Sequence, residues 1–240
     1  MNRERFRFFR VVHLESDLLI GVTPGSYTRE MQETALEELV RLRRILLEHG
    51  RKDPSFLNSL EALTLYPGLE VPEEIITMIE CGRETGTGPM AAVAGLFAER
   101  VGRRIAKLYQ TEELVVENGG DLYLRNKSDL VSAIHAGSSP LSDKMAFVVR
   151  PGEWGICTSS GTLGHSFSKG KADALCVISS SAPLADAWAT ALANRVQGPE
   201  DIEEVLEGVE EISGIAGCAV IAGERIGVRG KFQVKLLSSE

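Results

Sequence analysis

Long apolar runs are missing from these 240 residues. No stretch of about 18 consecutive apolar residues occurs, so nothing reads as a membrane-spanning helix. The start carries neither an apolar segment of signal-peptide length nor a lipobox cysteine. Cysteine is scarce: Cys81, Cys157, Cys176 and Cys218 stand far apart, with no CxxC pair and no Cys/His cluster. That pattern excludes the standard structural zinc spacings and argues against a disulfide framework. Reduced thiols without an export signal predict a cytoplasmic protein. Positive charge is also short, with 26 Lys and Arg against 34 Asp and Glu and a net charge of -8. Non-specific nucleic-acid binding needs the opposite balance, so no nucleic acid and no membrane is expected as a partner. No internal repeat and no low-complexity linker divides the chain.

What remains is an ordinary globular composition, 43% hydrophobic and 25% charged, read as one domain spanning 1–240. Arg5, Arg7 and Arg10 alternate with Phe6, Phe8 and Phe9, which predicts an edge strand, a turn near Glu15–Asp17 and a second strand to Val22. Thr28 can cap a helix over 29–49, where Met31, Ala35, Leu39, Leu42 and Leu46 recur at helical spacing and Gly50 ends the run. Pro72 and Pro89 open two further helices. Residues 113–124 read as strand, Gly-Gly turn, strand. Further strands are predicted at 131–135, 145–150, 154–158 and 174–179, then a helix over 183–196, an acidic helix over 199–211 and a hairpin over 217–237. Several helices followed by a strand-rich half predict an α+β fold, a mainly antiparallel sheet with packed helices.

Three segments could carry chemistry. In Pro183-Leu184-Ala185-Asp186-Ala187-Trp188-Ala189-Thr190, proline sits at a first helical position, and Asp186 and Thr190 share one helix face. A carboxylate and a hydroxyl one turn apart suit Mg²⁺; Asp186 could also serve the helix dipole while Thr190 packs. Thr158-Ser159-Ser160-Gly161, with His165 close behind, can bring backbone amides to a phosphate or can be a solvated loop. Gly119-Gly120-Asp121 is a turn that can also present Asp121 to a ligand. Gly86-Thr87-Gly88-Pro89-Met90-Ala91 formally matches a dinucleotide fingerprint, but it follows a helical pattern rather than a strand and is read as a turn feeding a helix. Cys157 reads either as a buried inert thiol or as a reactive one.

Taken together these segments resemble the ApbE-like family, whose best-known members are Mg²⁺-dependent FAD:protein FMN transferases. The resemblance runs in order along nearly the whole chain. Asp53-Pro54-Ser55-Phe56-Leu57-Asn58 follows the first long helix, Glu84-Thr85-Gly86 ends the next, and Asn118-Gly119-Gly120-Asp121 is similar to the NxGGD turn. Thr158-Ser159-Ser160-Gly161 resembles the TSG loop, and Ala185-Asp186-Ala187-Trp188-Ala189-Thr190-Ala191-Leu192 matches the ADAxxTAL helix. The resemblance implies an α+β domain with a flavin cleft, Mg²⁺ on Asp186 and Thr190, and FAD or FMN contacts from Gly119, Gly120, Asp121 and the residues Thr158, Ser159, Ser160 and Gly161. It implies His165 as the catalytic histidine, although the family's H-x-x-D-P-x-T-G segment is here His165-Ser166-Phe167-Ser168-Lys169-Gly170-Lys171-Ala172-Asp173. The chain looks closer to a compact branch associated with sulfur assimilation in anaerobes. Expected partners are a small nucleotide or flavin and a protein acceptor. Three functions stay open: FMN transfer or FAD hydrolysis, a noncatalytic flavin or anion binder, and sulfur chemistry at Cys157.

Overall fold

The computed structural model describes residues 4–65, 70–161 and 170–237. The alternating start forms β1 (Arg7–His13), which pairs with β2 (Ser16–Val22) through a turn at Leu14 and Glu15, Leu14 having φ 53. The reversal therefore comes earlier than the expected Glu15–Asp17. Helix α1 (Glu30–Lys52) buries Met31, Ala35, Leu39, Leu42 and Leu46, as the spacing predicts. Two of its expected ends differ. Thr28 does not cap it, because the helix starts from Arg29 with no side-chain cap. Gly50 does not stop it but lies inside it, packed against Leu57, and Asp53 ends it by capping α2 (Pro54–Asn58) through the Ser55 amide at 3.0 Å.

Helix α3 (Glu73–Thr85) ends at Gly86, whose φ of 75 provides a left-handed cap. A 3-10 turn at Pro89–Ala92 then leads into α4 (Val93–Tyr109). The strands that follow are β3 (Leu114–Asn118), β4 (Asp121–Asn126), β5 (Leu130–Ala133), β6 (Met145–Val149), β7 (Gly152–Ser159) and β8 (Ala174–Ser179). Helix α5 (Ala182–Ala193) comes next. The acidic helix expected over 199–211 is broken: a 3-10 turn at Pro199–Asp201, a short α6 (Ile202–Leu206) and a second 3-10 turn at Val209–Glu211. Gly208 at φ 77 ends the regular helix. The strands β9 (Ile215–Ala222) and β10 (Arg225–Gly230) pair as a hairpin, but β11 (Gln233–Leu236) leaves them and pairs with β6.

The fold is α+β and its strand pairs are antiparallel. One eight-stranded sheet has the order β1-β2-β3-β4-β7-β8-β9-β10, and a three-stranded sheet has the order β11-β6-β5. The expected edge position of β1 is thereby borne out. Strand periodicity divides the large sheet's side chains between two cores. Leu114, Val116, Tyr123, Cys157, Leu175, Val177 and Val220 face the helices. Their neighbours Val115, Leu124, Ile156, Cys176 and Ile221 face the small sheet, where Phe147 and Val149 of β6 meet them. Strand β8 is buried along its whole length, so its apolar run shows no alternation. Among the described residues no helix is long and apolar enough to cross a membrane.

Candidate functional site

The hairpin between β3 and β4 turns on Gly119 and Gly120, with φ of 66 and 103. Both values favour glycine. Asn118 Nδ2 donates to the Ala94 carbonyl at 3.1 Å and ties this turn to the start of α4. Asp121 follows the turn and faces the helices, on the opposite side of the strand from Leu122. It is buried, and its Oδ1 accepts the Thr158 amide at 3.2 Å.

Asp186 reaches the same place from α5. Its Oδ2 accepts the Gly95 amide at 2.9 Å. Thr190, one turn further, lines the same cavity, and its hydroxyl has no hydrogen-bond partner among the described residues. The helix is seated by close backbone approach. A Cβ on Gly155 would meet the Ala182 Cα at 2.3 Å, and one on Gly95 would meet the Ala182 carbonyl oxygen at 2.3 Å. The first amide of the helix, Ala182 N, donates to Glu99 Oε2 at 2.8 Å in the interior.

Burial, and then the charge of Asp186, hold the Asp121 carboxyl well above the usual carboxylate range. Asp186 opens partly onto the cavity, yet protein surrounds it closely enough that burial pushes its carboxyl up to about 7, against the lowering effect of the Gly95 and Ala94 amides. The other buried carboxylates have arginine partners. Glu38 and Glu74 pair with Arg41 at 2.7 Å each, and Glu99 pairs with Arg103 at 3.3 Å. No ion pair reaches Asp121 or Asp186 among the described residues.

These groups share a cavity of about 1060 Å³. It runs past the end of the large sheet, from Asp186 and Thr190 on the helix side to Phe147 and β5 on the small-sheet side. Gly119, Gly120, Asp121, Thr158, Ser159 and Ser160 all line it. With Asp186 and Thr190, eight of the residues singled out in the sequence thus border one space. Gly161 is the exception: its amide is committed to the Ala172 carbonyl at 2.9 Å, and it does not line the cavity. Thr158 contributes its side chain rather than a free amide, since Asp121 takes that amide. His165 lies outside the described residues.

The Gly86–Gly88 turn does not line the cavity. Gly86 caps α3, and the Gly88 amide binds the Leu60 carbonyl at 3.0 Å. All four cysteines are free and buried. Burial, together with Asp121 and Asp186, pushes the Cys157 thiol well above its ordinary value, and its Sγ donates to the Ala182 carbonyl at 3.3 Å. A protonated, enclosed thiol opposes the reactive-thiolate reading. Sequence reasoning missed Glu99 and Gly95. Gly95 lies in the small-residue run after Pro89, a signal that only a packed partner explains. Among the described residues no group of three or more His, Cys, Asp or Glu is placed to hold a metal ion; the cavity here is bordered by the two carboxylates and by Thr190.

The family model described as AbpE bacteria matches residues 1–213. Similar curated proteins are the UPF0280 protein of Methanocaldococcus jannaschii, 34% identical over 93% of this chain and 90% of its own length, and the UPF0280 protein of Methanosarcina acetivorans, 39% identical over 82% of this chain and 78% of its own. Among solved structures, the flavinyl transferase ApbE of Pseudomonas stutzeri in its apo form has a TM-score of 0.64 at 17% identity, covering 93% of both chains. The ApbE protein of Thermotoga maritima has a TM-score of 0.58 at 16% identity, covering 94% of this chain and 97% of its own. At those identities the structures speak for the fold, and the family match speaks for descent: this chain belongs to the AbpE bacteria family and has the ApbE fold.

Proposed function

We propose that the chain is a divalent-cation-dependent enzyme acting on a flavin dinucleotide, by FMN transfer to a protein acceptor or by FAD hydrolysis. The observation that carries this reading is the pair Asp121 and Asp186, brought together with no ion-pair partner among the described residues at one end of a cavity of about 1060 Å³. That volume is at the upper end of small-molecule sites and suits a nucleotide. The shared fold with proteins named as flavin transferases supplies the ligand class. Asp186 and Thr190, joined by Asp121, are hard oxygen donors that fit Mg²⁺. When bound, such an ion neutralises and polarises the pyrophosphate oxygens.

The chain's own groups account for the rest of the chemistry. Ser159 and Ser160 line the cavity as further polar groups for the phosphates, while the Thr158 hydroxyl donates to Cys176 Sγ at 3.2 Å on the small-sheet side. Val115, Leu124, Ile156 and Phe147 give the other end apolar walls that exclude water from a flat ring. His165 is assigned the proton given to the leaving phosphate. In the reaction the P–O–P bridge opens. The flavin-side phosphorus gains an oxygen from the acceptor hydroxyl or from water, that oxygen releases its proton to solvent, and AMP leaves with the bridging oxygen.

Incubation with FAD and Mg²⁺ is expected to release AMP, measured by chromatography. Asp186→Ala is expected to lower that release by at least about 100-fold, the scale of losing an electrostatic stabiliser. No AMP from FAD or from other nucleotide pyrophosphates would sink the catalytic reading. Flavin binding without turnover would favour the noncatalytic binder, to which the missing Asp-Pro and Thr-Gly after His165 point.

A further inference from the structure

The two ends of the cavity differ in chemistry. Beyond the apolar walls on the small-sheet side stands His135, two residues after β5, and it is the histidine that lines the cavity among the described residues. Its side chain is exposed but held. Nδ1 lies 3.0 Å from Asp143 Oδ2. Ser142 Oγ accepts the Ala136 amide at 2.9 Å and donates to the same Asp143 oxygen at 3.2 Å. The loop that carries these groups is pinned by the Ile134 amide on the Met145 carbonyl at 2.8 Å and by the Asp143 amide on the Ile134 carbonyl at 2.9 Å.

Asp143 adopts φ 61, a conformation uncommon for a residue with a side chain. In that conformation its carboxylate lies beside His135. Exposed ion pairs contribute little to stability, and these side chains are 67% and 62% accessible. Folding therefore gains little from the contact, and what it secures is the orientation of the imidazole. Ser142 Oγ also lies 3.3 Å from Nδ1, but its proton is directed to Asp143; a carboxylate only accepts hydrogen bonds, so Nδ1 carries the proton in the neutral ring. Nε2 is then an acceptor, and it has no partner among the described residues.

Strand β5 adds the complementary groups. It is the open edge of the small sheet, and Leu130–Ala133 line the cavity. Alternate backbone N–H and C=O groups on such an edge are left for a ligand. The far end of the cavity thus offers an acceptor flanked by backbone donors.

We infer that His135 reads a ring N–H of the bound ligand at the end remote from its phosphate. This rests on the flavin reading above, under which the group is the imide N–H that lies between the two ring carbonyls. The N–H donates to Nε2, and the carbonyls take edge amides of β5. His135 is a ligand-recognition residue in this scheme, separate from the phosphate chemistry at Asp186.

The test compares FMN with FMN methylated on the imide nitrogen, each titrated against the full chain with Mg²⁺ and followed by flavin fluorescence. The wild type is expected to bind FMN about tenfold more tightly than the methylated form, the scale of one lost hydrogen bond. His135→Ala is expected to bind the two alike, with FMN weakened about tenfold, while His135→Gln, which keeps an acceptor, retains part of the preference. Equal binding by the wild type, or an undiminished preference in His135→Ala, overturns the inference and leaves the flavin reading standing. No binding of FMN or FAD by the wild type overturns the flavin reading, and this inference with it.

Discussion

Glu38, Glu74 and Glu99 show how this chain treats a carboxylate it buries: each is given an arginine. Asp121 and Asp186 are given each other. The linkage between proton binding and folding makes that difference measurable. A carboxyl whose pKa is higher in the folded state than in the unfolded chain binds its proton more tightly when folded. Its contribution is therefore most favourable below the unfolded value of roughly 3.9 and is lost as pH rises through about 7 for Asp186. In chelator, Asp186→Asn and the wild type are expected to have similar melting temperatures near pH 4. The variant should become progressively the more stable of the two up to pH 8. The upper bound is on the order of 4 kcal/mol, less whatever solvation the cavity gives the carboxylate. A difference that shrinks as pH rises would contradict the raised pKa.

Helix α5 is legible in the sequence alone. Pro183 marks its first turn, and the four-residue step from Asp186 to Thr190 places both on one face. The partners that hold it are not legible there, because they come from distant segments: Glu99 meets Ala182 across 83 positions of sequence. Gly95 and Gly155 look in sequence like ordinary helix and strand glycines, and only the contact with Ala182 shows what their missing side chains allow. Removing the acceptor leaves a buried amide unsatisfied, so Glu99→Ala is expected to cost about 1–3 kcal/mol in urea unfolding, with Glu99→Gln costing less. Equal stability of Glu99→Ala and the wild type would show that water replaces the carboxylate. Local pattern also misleads over 199–211. The acidic run there is amphipathic, but the left-handed Gly208 interrupts it. The meeting of His135 and Asp143 depends on a loop conformation that composition does not disclose.

The molecule presents its large sheet to two different layers, and the cavity is lined from both sides and by the Asn118–Asp121 turn. Alternation within single strands makes the antiparallel α+β character legible in the sequence. The departure of β11 to the small sheet is not legible, since its residues fit a hairpin with β10 just as well. Deleting residues 231–240 removes β11 from β6 and takes away Leu237, which lines the cavity. The small sheet is then a two-stranded ribbon, marginal by itself. The shortened chain is expected to melt several degrees earlier and to lose FMN affinity more than affinity for a simple pyrophosphate, measured by calorimetry. Equal losses for both ligands would mean that the two ends of the cavity are not separable. The placement of β11 also sets an order in time. During synthesis Asp121, Asp186 and Thr190 are all made before β11 and the Leu237 that follows it, the last cavity-lining residue in chain order among those described. A growing chain can therefore assemble the carboxylate pair while the wall at Leu237 is still missing, so its affinity for the ring end of a ligand is expected to rise only after that residue is in place.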